Sequence, residues 1–141
     1  MVVVDANVLI YAVNESSPQH ESARRWLYEA LTSDETVGLA WTVLLAFLRL
    51  ATHPSVFPRP LSLSESSQVL DSWLASPMVI AIEPTPRHLA LLRGLLAGAG
   101  ATGNLVNEAH LAALALEHGA SVVSFDRDFA RFEGLSLIRP S

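Results

Sequence analysis

Two hydrophobic runs far apart in the chain each lead into an aspartate: Val2-Val3-Val4 into Asp5, and Val122-Val123-Ser124-Phe125 into Asp126. Short β-branched runs bounded by polar residues read as buried strands, and in open α/β sheets the carboxyl ends of such strands face the ligand crevice. The two carboxylates are therefore expected to share one crevice. Like charges so close disfavour ionisation, and a divalent cation would keep them charged. Glu108 is the third candidate. On a helix it shares a face with Leu111, Ala112 and Ala115, so it leans towards the core and needs a partner, which a metal shared with Asp5 and Asp126 supplies. Each carboxylate also has a plainer reading, the aspartates as helix caps and Glu108 as a first-turn acid favoured by the helix dipole. Two strand ends that both carry aspartate favour the metal-site reading. Asn7 and Asp128, each two residues beyond an aspartate, add polar groups nearby. His110, on the opposite face with Ala113 and Glu117, reads as solvated, and Glu83 as a loop residue beside Pro84-Thr85-Pro86.

The rest of the chain must position these groups. Ser17-Pro18 reads as a helix cap followed by a proline at the first helical position, ahead of Ala23, Trp26, Leu27, Ala30 and Leu31 at helical spacing. A strand over 36–40, a buried helix over 42–51 and a proline-rich loop over 54–60 follow. Ser62 and Glu65 have the spacing of a capping box that opens a helix with Val69, Leu70, Trp73 and Leu74 on one face. A strand over 78–82 leads to Thr85-Pro86, a second cap-plus-proline signal, and a helix over 88–97. The small-residue stretch from Gly98 to Gly103 ends that helix, and a helix over 107–118 precedes the strand that carries Asp126. Strand and helix alternate with no hairpin signal and no internal repeat, so the expected fold is α/β, a mainly parallel sheet between helical layers.

Composition narrows the chemistry. The 141 residues, half of them hydrophobic, suit a single domain spanning 1–141. A net charge of -5 argues against holding a polyanion by bulk attraction, so any RNA or DNA must be gripped locally. All nine basic residues are arginine, which excludes lysine-dependent mechanisms, including the phosphate loop that ends in Lys-Ser/Thr. The absence of cysteine excludes a disulfide framework and a thiolate metal site and fits a cytoplasmic location, as does the lack of a targeting segment. The apolar stretch from Thr36 to Leu48 is too short to cross a bilayer. A literal G-x-G-x-x-G at Gly98, Gly100 and Gly103 follows a helix instead of a strand, the wrong context for a dinucleotide site.

Three segments together, Val3-Val4-Asp5-Ala6-Asn7-Val8-Leu9-Ile10, residues 103–113 around Asn107-Glu108-Ala109-His110, and Ser124-Phe125-Asp126-Arg127-Asp128-Phe129, resemble the PIN-domain ribonucleases, most closely the VapC toxins of bacterial toxin-antitoxin modules. The resemblance covers essentially the whole chain. It implies a three-layer α/β/α sandwich around a parallel sheet, an acidic cluster that binds Mg2+ or, in its place, Mn2+, and hydrolysis of RNA phosphodiesters. Asp5, Glu108 and Asp126 fall on family carboxylates that are catalytic and bind metal, Asp128 on an accessory metal position, and Asn7 on the small polar position beside the first aspartate. It also implies a VapB-type antitoxin and homodimerisation. Two positions depart from the pattern: Phe47 stands where the family usually has a glutamate, and Glu108 is one methylene longer than the usual aspartate. Arg49, in the same segment as Phe47, is a candidate contact for a substrate phosphate, and Asn7 is grouped with it on the substrate side. The expected activity is a toxic metal-dependent endoribonuclease. The alternative is a domain with weakened catalysis that binds RNA or antitoxin, while a phosphatase with Asp5 as nucleophile fails for want of a lysine and of a second aspartate at Asn7.

Overall fold

The computed structural model describes residues 1–100 and 103–141. Strand β1 (Val2–Val4) runs into helix α1 (Ala6–Val13), then α2 (His20–Thr32), β2 (Val37–Ala40), α3 (Trp41–Ala51), α4 (Leu63–Leu74), β3 (Val79–Ile82), α5 (His88–Gly98), α6 (Val106–Glu117), β4 (Ser121–Val123) and β5 (Leu137–Ile138). Single 3-10 turns at Gly103–Leu105 and Arg127–Arg131 precede α6 and follow β4. The five strands form one sheet in the order β3-β2-β1-β4-β5, every pairing parallel.

That order explains where the site lies. From β1 the chain moves outward through β2 to β3, crosses back to β4 on the other side of β1, and ends at β5. Right-handed crossovers then put the helices of the two halves on opposite faces, giving three layers, with the reversal of direction between β1 and β4. Val4 is in register with Val123 there, and the Asp5 N–H donates to the Val123 carbonyl at 2.9 Å. Val3, Val4, Val122 and Val123 are fully buried, as expected for strands covered on both faces.

Local signals hold in some places and yield in others. The Ser62–Glu65 capping box forms with both of its bonds at 3.0 Å. The two cap-plus-proline signals close turns ahead of their helices, the second of which starts where expected. Ser17 accepts from the Gln19 N–H and Thr85 from the Arg87 N–H, so each closes a turn, and the helices begin at His20 and His88. The strand before Asp126 stops at Val123, and β5 is an element that two paired residues were too few to announce. Of the G-x-G-x-x-G stretch, Gly98 ends α5 and Gly100 and Gly103 have φ near +60°, while residues 101 and 102 lie outside the described residues. Helices, not a strand, flank it.

Candidate active site

Asp5 and Asp126 come from adjacent strand ends, and a single hydroxyl ties them together. Ser124 is 1% exposed, and its Oγ donates to Asp5 Oδ2 at 2.6 Å while accepting from the Asp126 N–H at 2.9 Å and from Asn7 Nδ2 at 3.1 Å. Asp5 is also the N-cap of α1, accepting from the Ala6 N–H at 2.7 Å, so the capping role and a site role coexist in one carboxylate. Asp126 caps the 3-10 turn in the same way, through the Asp128 N–H at 2.8 Å. Asn7 is a brace: its Oδ1 accepts from the Phe125 N–H at 3.2 Å, so both ends of the amide hold the loop after β4. The Asp128 carboxylate is half-exposed and stands 3.7 Å from Arg131 Nε.

Glu108 enters from α6 on the same side. It lines a cleft of about 400 Å³ with Asp5 and Ala6, with Thr42, Leu45, Ala46 and Arg49 of α3, and with Asn107, Leu111 and Phe129 among the others. Glu108 Oε2 is buried and has no hydrogen-bond partner. Burial pushes the Asp5 carboxyl above the ordinary aspartate range; the Ser124 and Ala6 donors pull it back, and the charges of Asp126 and Glu108 push it up again. The carboxylates of Glu108 on α6 and Asp126 in the loop after β4 thus both bear on Asp5 at the end of β1. Phe47 does not reach the cleft. It is fully buried and meets Trp73 of α4 edge-to-face with ring centroids 4.9 Å apart, so the cleft wall of α3 carries Ala46 and Arg49 and no acid.

The donor set fits a hard divalent cation. It offers carboxylate oxygens only, one of them buried without a partner, around an aspartate whose charge is disfavoured by its neighbours. Among the described residues no three acidic, histidine or cysteine side chains already converge as a cage. Mg2+ does not require one, since it keeps several waters and takes one or two carboxylates.

His110 corrects the sequence reading. Instead of being solvated, it is half-buried between α5 and α6, with its Nδ1 2.8 Å from His88 Nε2. His88 Nδ1 lies 2.7 Å from Glu117 Oε2, and Glu117 Oε1 accepts from the Thr85 hydroxyl at 2.6 Å and the Thr85 N–H at 3.1 Å. Despite complete burial, these donors hold the Glu117 carboxyl below its ordinary range. Burial and the neighbouring His88 charge lower the His110 imidazole. The face opposite Glu108 is thus a polar clamp between two helices. Sequence spacing gave the face correctly and missed α5, which covers it.

Comparison with known proteins places the fold and the family. The PIN domain family model matches residues 2–135. The chain is 51% identical to Ribonuclease VapC37 of Mycobacterium tuberculosis over 99% of this chain and 97% of that one, and 41% identical to Ribonuclease VapC31 of the same species over 99% of each. Among solved structures, the VapBC2 complex of Rickettsia felis bound to a promoter DNA fragment superposes with a TM-score of 0.72 at 19% identity, covering all of both chains. VapC20 of M. tuberculosis, described as a sarcin-ricin loop cleaving toxin, gives 0.72 at 17% identity over 99% of this chain and 100% of that one. These two share the fold. With its three carboxylates on a parallel α/β/α frame and whole-chain identity to named relatives, the chain belongs to the PIN-domain family and, within it, to the VapC ribonucleases.

Proposed function

We propose that this chain is the toxin of a type II toxin-antitoxin pair, a metal-dependent endoribonuclease that hydrolyses RNA phosphodiester bonds. The observation that carries the reading is the buried, unpartnered Glu108 Oε2 in a cleft shared with Asp5, in a chain 51% identical to a protein named a ribonuclease. Asp5, Glu108 and Asp126 would hold Mg2+, or Mn2+ in its place, with Asp128 at the accessory position. When bound, the cation supplies Lewis-acid stabilisation of the charge that develops on a phosphodiester. The protein's part is to keep the ligands ionised and aimed. Ser124 favours the charged form of Asp5 by donating to it, Asn7 fixes Ser124 and the loop after β4, and the Asp128 N–H orients Asp126. Attack of water on the phosphorus, with the ribose 3′-oxygen as leaving group and the 2′-hydroxyl taking no part, would leave 5′-phosphate and 3′-hydroxyl ends.

The partner is a VapB-type antitoxin: the solved structures with this fold include VapBC complexes from Rickettsia felis and Salmonella typhimurium. The toxin acts as a homodimer in the cytoplasm; among the described residues no helix is long and apolar enough to cross a membrane. The binding-module alternative is not favoured, because a polyanion binder gains nothing from clustered carboxylates. The test is cleavage of total RNA by the purified chain with Mg2+ or Mn2+, beside Asp5→Asn, with product ends mapped. Metal-dependent cuts with 5′-phosphate ends, absent in the variant, are expected. A 2′,3′-cyclic phosphate product, or equal activity in Asp5→Asn, overturns the mechanism.

A further inference from the structure

The outer face of α3 combines an aromatic ring and a cation beside the cleft. Val43, Leu44, Phe47 and Ala51 bury one side of this helix. Trp41 and Leu45 on another side are 49% and 57% exposed, and Arg49 is exposed as well. These three stand at i, i+4 and i+8, a stripe about 12 Å long at the α-helical rise. Leu45 and Arg49 line the cleft that holds Asp5 and Glu108, so the stripe runs out of that site along the helix.

Among the described residues, Arg49 is the only cation that lines this cleft. Of the other arginines, Arg24 pairs with Glu21, Arg131 with Asp128, Arg87 donates to the Glu117 carbonyl and Arg139 to the Phe125 carbonyl, while Arg25, Arg59, Arg93 and Arg127 lie outside this cleft. Among the described residues Arg49 makes no hydrogen bond or ion pair with the chain, although two carboxylates share its cleft. In a protein of net charge -5, a polyanion must be gripped at such a local cation. Exposed aromatic rings serve single strands in a complementary way, because an unpaired base stacks on any ring whatever its sequence.

We propose that the Trp41–Leu45–Arg49 stripe is the RNA-binding track of this enzyme: Arg49 grips a backbone phosphate next to the reacting bond, and Trp41 stacks an unpaired base two helical turns away. The inference rests on the ribonuclease reading. Stacking on Trp41 calls for an unpaired base, since a paired base offers it no free face. The track also gives a function to the cleft wall that carries Arg49 and lacks an acid. The charge favours RNA over a second copy of the chain as the occupant, since a copy would bring a net negative protein but no regular row of anions.

The test is fluorescence anisotropy of the full chain with a fluorescein-labelled, mixed-sequence single-stranded RNA in EDTA, over a salt series, with cleavage of the same RNA measured separately in Mn2+. Arg49→Ala is expected to weaken binding roughly tenfold and to reduce the slope of log K against log salt by about 0.7. Trp41→Ala is expected to weaken binding by about five- to a hundredfold with the slope unchanged, and Trp41→Phe to restore most of the loss. Arg93→Ala, an exposed arginine of α5 outside the cleft, controls for the change in net charge and is expected to leave the slope as it was. The proposal is overturned if Arg49→Ala behaves like Arg93→Ala. It is equally overturned if Trp41→Ala changes the association state in sedimentation while leaving RNA affinity intact, which would give the stripe to a second copy. If the unmodified chain cuts RNA and both variants bind as it does, the track alone falls; if the unmodified chain neither cuts nor binds, the ribonuclease reading fails and the track goes with it.

Discussion

Ser124 shows how much of a site can depend on a residue with no charge. One hydroxyl joins Asp5, Asn7 and the backbone of Asp126, partners that lie up to 119 positions from Ser124 in the chain. The three carboxylates were legible because each sits at a strand end or on an apolar helix face. Ser124 was not, because a serine after two valines reads only as the fraying end of a strand. Its signal was present in its place between β4 and Asp126, but that signal has meaning only once β1 is known to lie beside β4. Ser124 acts through Asp5 and is a positioning residue. Removing its donation leaves burial and two neighbouring charges to raise the Asp5 carboxyl with only the Ala6 N–H opposing. Ser124→Ala is therefore expected to lower kcat/KM by about ten- to a hundredfold at neutral pH. On the proposed mechanism the ionised form of Asp5 is the working form, so raising its pKa moves the acidic limb of the rate profile to higher pH, with activity recovering on the alkaline side. A uniform loss across the whole profile would show that Ser124 serves only the packing of the loop.

At the scale of elements, α3 decides what the site contains. Its pattern was readable as a buried helix, and the observed bounds differ from the expected ones by a single residue at the start. What could not be read is its rotation about its own axis. That is set by Phe47 seating against Trp73, a contact between α3 and α4 that no local spacing announces. Because of this rotation, writing a glutamate at the family's usual position would not rebuild a metal site. Phe47→Glu is expected to bury a carboxylate in the core and to destabilise the fold by about 4 kcal/mol or more, seen as a lower midpoint in urea, with no gain in Mn2+ affinity by calorimetry. Ala46→Glu, at a residue that lines the cleft, is the contrasting variant, and it is expected to bind Mn2+ more tightly. If Phe47→Glu folds as well as the parent and gains metal, the rotation described for α3 is wrong. The same kind of limit applied to α5, α6 and β5. Spacing showed two helix faces but not that His88 of one meets His110 of the other, and two residues of β5 carry no pattern at all.

At the scale of the molecule, the reversal of strand order between β1 and β4 explains why Asp5 can share a cleft with Glu108 and a hydroxyl with the backbone of Asp126. The alternation of strands and helices made the parallel sheet legible, and Asp5 at the end of β1 marked the cleft it lines with Glu108, whereas Asp126, three residues beyond β4, is not among the cleft-lining residues. The order itself depends on pairings across the whole chain, which local patterns do not encode. One consequence is thermodynamic. A cation held, as proposed, by Asp5 together with Glu108 would link the first strand to the sixth helix, and only the folded state would hold it. Saturation should raise stability by about 2.7 kcal/mol at a hundredfold excess over Kd, a rise in Tm on the order of 10 °C for a chain of this size. Thermal unfolding with and without Mn2+ measures this directly, and Glu108→Gln should abolish most of the shift while keeping the fold. A parent chain indifferent to Mn2+ would remove the metal from the account. A full shift in Glu108→Gln would leave the metal in place and transfer its third ligand from Glu108 to another residue, with Asp128 the next to test.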